Sequence, residues 1–495
     1  MYRQNLTSAA RVTLLGPLAA AVIAVATPAL AQSVQSGGGG SGGSETPAAP
    51  GKAGAKQPLG NGAPQTLGSA TAKKPADGPL PFLAAYSSQL PGGGMFAVDT
   101  KGITVQTVDN AVKLRIGGRL QLDTSAGSLS PKSLGPAIVG ADGDNFLIRR
   151  AYFESYLTLY DAVELAFQYD FANATQPIQD AVLAYRGLNH VVVSAGNFKE
   201  PFGLDQLRSD NTTTFAERSL TNALFPSRNF GGTIGTYGDN WTVTAGVFGG
   251  NANTSATTGN TQIEDNGVAG TARVTYAPIL TQDQLLHLGI AGSYRSQDPT
   301  NTNLSFSSRP ENQLFARTLV STGTLRNAQE TGRLGLEAIY QYKSYRITSE
   351  YAFANVGGVT PTAAVANRGD RFFQSGYVEG AWVVNGYGRP YRLAPTYGSE
   401  FAVLQGVEID DSQRISRGGF GVFEVAARYS ALDLQDGLTT GGRLEDVTAG
   451  VNWYPDRNIR VVANYVHSHA DPAPSALNVS KIDSDAFIGR LQFSW

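Results

Sequence analysis

Leu114-Arg115-Ile116-Gly117-Gly118-Arg119-Leu120-Gln121-Leu122-Asp123 sets apolar and polar residues in alternation. Side chains of a β-strand point to opposite faces with period two. Leu114, Ile116, Gly118, Leu120 and Leu122 therefore share one face, and Arg115, Arg119, Gln121 and Asp123 the other. One face suits hydrocarbon and the other suits water. In 163–171, Val163, Leu165, Phe167, Tyr169 and Phe171 alternate with Glu164, Ala166, Gln168 and Asp170. The same period recurs around 333–342, 345–353, 419–429, 445–454, 459–465 and 486–495. A soluble sandwich also alternates, but nothing in it calls for Tyr and Phe at the ends of segments. In a bilayer those positions form the aromatic girdles of a barrel.

Working outward, sixteen candidate strands lie near 112–123, 146–159, 163–171, 178–186, 191–198, 232–237, 241–248, 267–276, 286–294, 333–342, 345–353, 373–384, 419–429, 444–454, 459–466 and 486–495. Short connections at 160–162, 238–240, 343–344 and 455–458 alternate with long ones near 124–145, 199–231, 249–266, 295–332, 354–372, 430–443 and 467–485. Short periplasmic turns opposite long external loops, with an even strand count, describe an all-β transmembrane antiparallel β-barrel with both termini in the periplasm. The segment 385–418 is long where a short turn is expected, and its sequence offers no reason beyond a periplasmic extension. About sixteen strands leave room for an aqueous channel. The connection 199–231, with Lys199, Arg208, Arg218 and Arg228 among Asp205, Asp210 and Glu217, is the natural constriction loop folded into that channel.

The ends of the chain agree with export. Arg3 and Arg11 precede and flank an apolar stretch at 12–26, and Ala29-Leu30-Ala31 is an A-x-A cleavage site, so 1–31 reads as a signal peptide cut after Ala31. Residues 32–95 are rich in Gly, Ala and Pro and read as a flexible periplasmic segment, which leaves 96–495 as the barrel domain of the outer membrane. Beyond the signal no run of about 18 apolar residues exists to form a membrane-spanning helix. With Cys 0, neither a disulfide nor a thiolate metal site is available. The final run Phe487-Ile488-Gly489-Arg490-Leu491-Gln492-Phe493-Ser494-Trp495 alternates and ends on an aromatic, which resembles the signal read by the barrel assembly machinery.

If the apolar parity faces lipid, Arg115, Arg119, Arg150, Arg186, Arg273, Arg333, Arg346, Arg428, Arg460 and Arg490 point into the lumen. Arginine on the lipid face at mid-depth costs roughly 2–4 kcal/mol, so the inward column follows once the barrel is accepted. Such a column can replace an anion's water shell with guanidinium forks, or pair with inward carboxylates such as Asp123, Glu154, Asp170, Glu350 and Glu424. The formal net charge of −2 does not choose between these.

Six segments add a resemblance. Phe146-Leu147-Ile148-Arg149-Arg150-Ala151-Tyr152-Phe153-Glu154, Gly196-Asn197-Phe198-Lys199-Glu200-Pro201-Phe202-Gly203-Leu204 and Phe215-Ala216-Glu217-Arg218 come first. Tyr276-Ala277-Pro278 followed by His287-Leu288-Gly289, Gly450-Val451-Asn452-Trp453-Tyr454 and Ala463-Asn464-Tyr465-Val466 complete the order. From about residue 112 to Trp495 they resemble the phosphate-selective porin O and P family. The resemblance implies a sixteen-stranded homotrimeric channel for small anions, phosphate or pyrophosphate. In that likeness Arg149 and Arg150 are the central paired arginines, Tyr152 a constriction aromatic, and Asp180 the carboxylate beside the anion site. Arg218 is the loop arginine, while Arg115, Arg119, Arg273, Arg295 and Arg460 take basic ladder positions. Glu164 and Gln206 stand where phosphate-specific members carry lysine, Asn197 replaces a basic residue, and Lys199 lines the pore in place of an aromatic. These departures point to weaker phosphate preference, and a porin for carboxylates or sugars is the alternative. Implied partners are outer-membrane lipid, lipopolysaccharide and the assembly machinery at Trp495. Nucleic acid lacks a basic domain to bind. No cofactor motif is present, and only His190, His287, His467 and His469 could serve as a catalytic base, so an enzyme is not expected. His467 and His469, with Asp471, are too exposed a pair to be assigned a metal.

Overall fold

The computed structural model describes residues 86–90, 93–99, 101–130, 145–252, 267–299, 302–313, 318–359, 369–437, 439–472 and 481–495. The stretch read as a signal peptide and most of the Gly/Ala/Pro-rich segment lie outside them. Three short strands come first: β1 (Tyr86–Gln89), β2 (Met95–Asp99) and β3 (Gly102–Gln106). Sixteen strands then form the wall. They are β4 (Val112–Ser130), β5 (Asn145–Leu159), β6 (Val163–Asp170), β7 (Ile178–Leu188), β8 (Val191–Lys199), β9 (Arg228–Tyr237), β10 (Trp241–Phe248) and β11 (Val268–Leu280). The second half is β12 (Gln284–Ser296), β13 (Glu330–Tyr342), β14 (Tyr345–Val359), β15 (Gly369–Val383), β16 (Val422–Asp436), β17 (Thr439–Asp456), β18 (Ile459–Asp471) and β19 (Ile482–Ser494). Each pairs antiparallel with the next, and β19 returns to β4 through Arg490↔Asp123, Leu491↔Leu122 and Ser494↔Arg119. The sheet is closed, as the period-two pattern implies.

At the closure the last residue and Gly118 exchange backbone hydrogen bonds, Trp495 N to Gly118 O at 3.0 Å and Gly118 N to Trp495 O at 2.9 Å. Below Trp495 the edge of β4 is taken over by β3, with Ile103↔Ile116 and Gln106↔Lys113. The β1–β3 meander thus covers the part of the seam that β19 is too short to reach. Among the described residues regular pairing begins at Tyr86, inside the stretch read as flexible from composition.

Large apolar side chains such as Phe153, Leu165, Leu183, Ile234, Val274 and Ile290 are exposed on the outside of the wall. At its lower rim Tyr345 stacks on Trp382 at 5.5 Å, Phe423 on Trp453 at 6.2 Å and Phe493 on Trp495 at 5.4 Å. At its upper rim Phe353 meets Phe372 at 5.5 Å and Tyr465 meets Phe487 at 5.0 Å. These are the two girdles of a bilayer-spanning barrel.

Several strands run further than the apolar alternation does. The segment 430–443 is not a long loop: Asp436 pairs with Thr439 in a tight hairpin, and Gly437 supplies the positive φ of 58° that the turn needs. Above the upper girdle the outer face meets headgroups and water, so it no longer needs apolar residues although the ladder continues. There Arg443 Nε binds Asp433 Oδ2 at 3.1 Å across the pair.

Among the described residues, three connections fold inward. The constriction loop between β8 and β9 crosses the lumen, and Ala216 N donates to Asn464 Oδ1 of the far wall at 2.8 Å. The external loop between β12 and β13 comes in from above, where Asn312 Nδ2 reaches Ser125 Oγ at 2.9 Å. The long connection between β15 and β16 turns up into the barrel from the periplasmic end, and Gly398 N reaches Ser194 Oγ at 2.9 Å. Two apolar clusters pack these segments against one side. Phe202, Leu220, Phe306, Val356, Phe373 and Leu432 form the upper one. Leu204, Leu207, Leu285, Ile339, Val403 and Leu404 form the lower one.

A Cβ on Gly118 would lie 2.6 Å from both the Trp495 ring and Tyr152 O. Gly118→Val is expected to cost about 1–3 kcal/mol by overpacking and to lower the fraction of heat-modifiable barrel on refolding in detergent. Gly270→Val, whose Cβ meets nothing within 4 Å, should leave that fraction unchanged.

Candidate functional site: the lumen constriction

The paired arginines owe their shared direction to a β-bulge. In the β4–β5 ladder Gln121 pairs with Arg150, but the next residue, Leu122, pairs with Ile148, so Arg149 is the extra residue. A bulge sets two residues opposite one and re-aims a side chain. Arg149 therefore turns to the lumen beside Arg150, while Ile148 stays on the lipid face. Arg149 Nε and Nη2 donate to Glu217 Oε1 and Oε2 of the constriction loop at 2.8 and 3.1 Å. Arg150 Nη1 donates to Gln121 Oε1 at 2.8 Å, and its Nε lies 3.2 Å from Asp210 Oδ2.

These side chains line a polar cavity of about 520 Å³ on the extracellular side. Its wall carries five cations (Arg149, Arg150, Arg218, Arg228, Arg309) and four carboxylates (Asp170, Asp210, Glu217, Glu311). A second cavity of about 180 Å³ lies on the periplasmic side. It has Arg115, Arg119, Lys199, Arg228 and Arg392 facing Glu154, Asp180, Asp210 and Glu400. Asp210 and Arg228 line both and so mark the narrow zone between them. Each space carries one positive charge in excess.

Of the residues singled out in the sequence, Arg149, Arg150, Tyr152 and Arg218 meet at the upper cavity, and Arg115, Arg119, Asp180 and Lys199 at the lower one. The guanidiniums of Arg119 and Arg115 sit over the rings of Tyr152 and Tyr156 at 4.2 and 4.0 Å. Arg119 also binds Glu154 at 2.6 Å, whereas among the described residues Arg115 forms no ion pair and donates only to Lys101 O at 3.4 Å. Asp180 accepts from Arg228 Nε at 2.8 Å and from Tyr397 Oη at 3.3 Å. Lys199 is buried, with Nζ bonded to Leu207 O, Arg208 O and Glu400 Oε1.

The remaining three lie outside both cavities. Arg273 binds Glu337 and, at 2.5 Å, Phe401 O of the periplasmic connection. Arg295 binds Glu200 and Gly249 O. Arg460 holds Thr214 O at 2.7 Å and Asn452 Oδ1 at 2.9 Å, beneath the constriction loop. Pairing with inward carboxylates is thus the common fate of the column. Arg490 holds Asp123, and Arg346 and Arg389 share Glu424.

Sequence reasoning missed the residues brought in by the periplasmic connection, namely Arg392, Tyr397 and Glu400, because no periodicity marks 385–418. It also missed Arg228 and Asp210 as the junction of the two spaces. Both are visible in the loop's sequence, but their place depends on how the loop folds. His467 and His469 sit on the outer wall, bonded to Asp485 and Asp483 at 2.8 and 2.6 Å.

The carboxylates of the constriction loop are held ionised. Burial alone would raise the pKa of Asp210, but Arg150 and Arg218 outweigh it and keep it well below the usual carboxylate range. Glu217 is likewise buried, yet Arg149 and then Arg490 bring it down to about 2.

Residues 135–495 match the family described as phosphate-selective porin O and P, and the chain belongs to that family. It is 25% identical over 441 residues to Porin O of Pseudomonas aeruginosa, covering 81% of this chain and 93% of that protein. It is 26% identical over 356 residues to an uncharacterized protein of Caulobacter vibrioides, covering 70% of this chain and 67% of that protein. Among solved structures, the anion-selective porin from Comamonas acidovorans aligns with a TM-score of 0.45 at 9% identity, over 78% of this chain and 100% of that one. The outer membrane channel DcaP of Acinetobacter baumannii aligns with a TM-score of 0.43 at 11% identity, over 78% and 98%. Family and closed barrel together define an outer-membrane porin.

A carboxylate with a depressed pKa stabilises the folded state above its unfolded value and loses that contribution only as pH falls through its folded value. Asp210 and Glu217 therefore stay charged from neutral pH down to about pH 4, the ordinary carboxylate range. These two groups should add no step to the zero-current potential of the channel in a KCl gradient over that interval. In Glu217→Gln, which frees Arg149 from its bidentate partner, it should move toward the anion side.

Proposed function

We propose that this porin carries small anions, phosphate or pyrophosphate among them, by passive diffusion along the arginine-bearing lumen. The observation that carries the reading is the bulge at Arg149. A regular strand would place one arginine there, and the bulge places two on the wall facing the constriction loop, where Arg218 adds a third. Narrow spaces with low-dielectric walls focus the field of lining charges, so a small local excess governs permeation even when total charge is near zero. At an effective dielectric of about 20, a unit charge about 4 Å from an anion contributes roughly 4 kcal/mol before desolvation is subtracted. A phosphate entering the upper cavity would exchange with Glu217 and Asp210 for the guanidinium forks, which favours weak, fast binding over tight retention.

A second reading, a channel of the same fold for carboxylates or sugars, is favoured by a specific observation. Arg149, Arg150, Arg218 and Arg228 each already hold a carboxylate. The wider reading includes a homotrimer in a lipopolysaccharide-bearing membrane and export with cleavage after Ala31. It also includes delivery of Trp495 to the assembly machinery and a periplasmic place for the Gly/Ala/Pro-rich segment.

Planar-bilayer recordings test the channel reading. The purified protein should prefer chloride over potassium, and added phosphate should block the chloride current. Arg150→Ala should lower the anion-to-cation permeability ratio several-fold and weaken the block, while Arg326→Ala, exposed in the external loop, should change neither. An intact channel that prefers cations overturns the proposal. Anion preference without phosphate block leaves the second reading in its place.

A further inference from the structure

The constriction loop contains one helical turn, Leu204–Leu207, gripped at both ends from opposite directions. Glu350, on the inner face of β14, accepts Leu204 N on Oε1 at 2.6 Å and Asp205 N on Oε2 at 2.8 Å. Tyr377 Oη donates to the same carboxylate at 2.9 Å. At the other end Lys199 Nζ donates to Leu207 O and Arg208 O, both at 3.0 Å, and to Glu400 Oε1 at 2.8 Å. The carboxyl group of Glu350 at the start of the turn and the amine of Lys199 at its end satisfy the peptide groups that a helix terminus leaves open. Glu350 lines neither cavity.

From this turn a continuous set of contacts leads to the narrow zone. Asp205 Oδ2 accepts Ser219 N at 2.9 Å and Ser219 Oγ at 3.1 Å, which fixes the returning limb of the loop one residue from Arg218. Arg218 Nη2 donates to Arg208 O at 2.8 Å and to Asp210 Oδ1 at 2.6 Å. The other oxygen of Asp210 faces Arg150. We propose that Glu350 and Lys199 are positioning residues that clamp the two ends of Leu204–Leu207 and thereby hold Arg218 and Asp210 in register with Arg150. Through Glu400 the same clamp ties the constriction loop to the periplasmic connection. The inference rests on the anion-channel reading for its selectivity readout.

The substitution Glu350→Gln separates positioning from charge. It preserves volume, leaves the position without a negative charge, and offers an amide that can accept only through its oxygen while its NH2 faces a donor. If Glu350 acted only through its charge, the anion-to-cation ratio would rise. The clamp predicts the opposite sign: in heat-modifiable barrels the ratio falls and phosphate block weakens by about threefold or more, because arginines out of register lose the focused field. Glu350→Asp keeps the charge but is one methylene too short to reach both amides, so it should show a smaller loss in the same direction. It carries the comparison if the Gln variant fails to insert. Because both residues hold one turn, Glu350→Gln combined with Lys199→Gln should be less than additive. A Glu350→Gln channel with a raised or unchanged anion ratio overturns the clamp. A wild-type channel that prefers cations overturns the functional reading instead. The clamp is then judged by single-channel conductance, which Glu350→Gln should split into several levels, one unchanged level counting against it.

Discussion

Hydrocarbon offers no hydrogen-bond partner to a peptide group, so a sheet that crosses a bilayer has to come back to its own first strand. In this chain the return is made between Gly118 and Trp495, and the rest of the architecture follows from where that seam falls. β19 ends at the periplasmic girdle, yet β4 starts lower, and the exposed part of its edge is covered by β3. Closure also fixes parity around the circumference. With Leu122 opposite Leu491 on the outside, Asp123 must face Arg490 on the inside, and every polar residue of the same parity is committed to the lumen.

Once inside, the charges face a second constraint. A buried guanidinium without partners is expensive, and a buried pair is at best near break-even unless its remaining hydrogen bonds are also met. The lumen meets this by supplying carboxylates and, beyond them, backbone carbonyls of the inserted segments. Arg273 reaches Phe401 O, Arg428 reaches Glu217 O and Arg460 reaches Thr214 O. The inserted segments are therefore held by wall charges, and the wall charges are in turn satisfied by the inserted segments. This reciprocity leaves only a small positive excess at the two polar spaces.

The wall was legible in the sequence because its two faces meet solvents of opposite character. All sixteen strands are where period two puts them, with ends extended where the outer face leaves hydrocarbon. The lumen was legible only in part. Arg119 and Arg150 follow from parity and Asp180 only from the family resemblance, whereas Arg149 has lipid-facing parity and reaches the lumen through a bulge that no local pattern marks. The segment 385–418 has no period, because it is held by polar contacts to residues distant in sequence, such as Arg389 to Glu424 and Tyr397 to Asp180, and by one short apolar run that docks Val403 and Leu404 on the wall. Lys199 has the composition of a pore-lining residue and the position of one, yet its three donors are all used within the protein.

The bulge at Arg149 has a consequence for how such a wall can change. A substitution on a regular strand trades one inward residue for another, and a single insertion ordinarily reverses every side chain beyond it. Here the additional residue is absorbed locally: Ile148 keeps its outward place against Leu122, and Arg150 keeps its inward place against Gln121. The apolar stripe that contacts the membrane is indifferent to whether Arg149 is there. Length polymorphism, as much as residue exchange, is then a route by which a barrel of fixed circumference can gain or shed a guanidinium without renegotiating its fit to the bilayer.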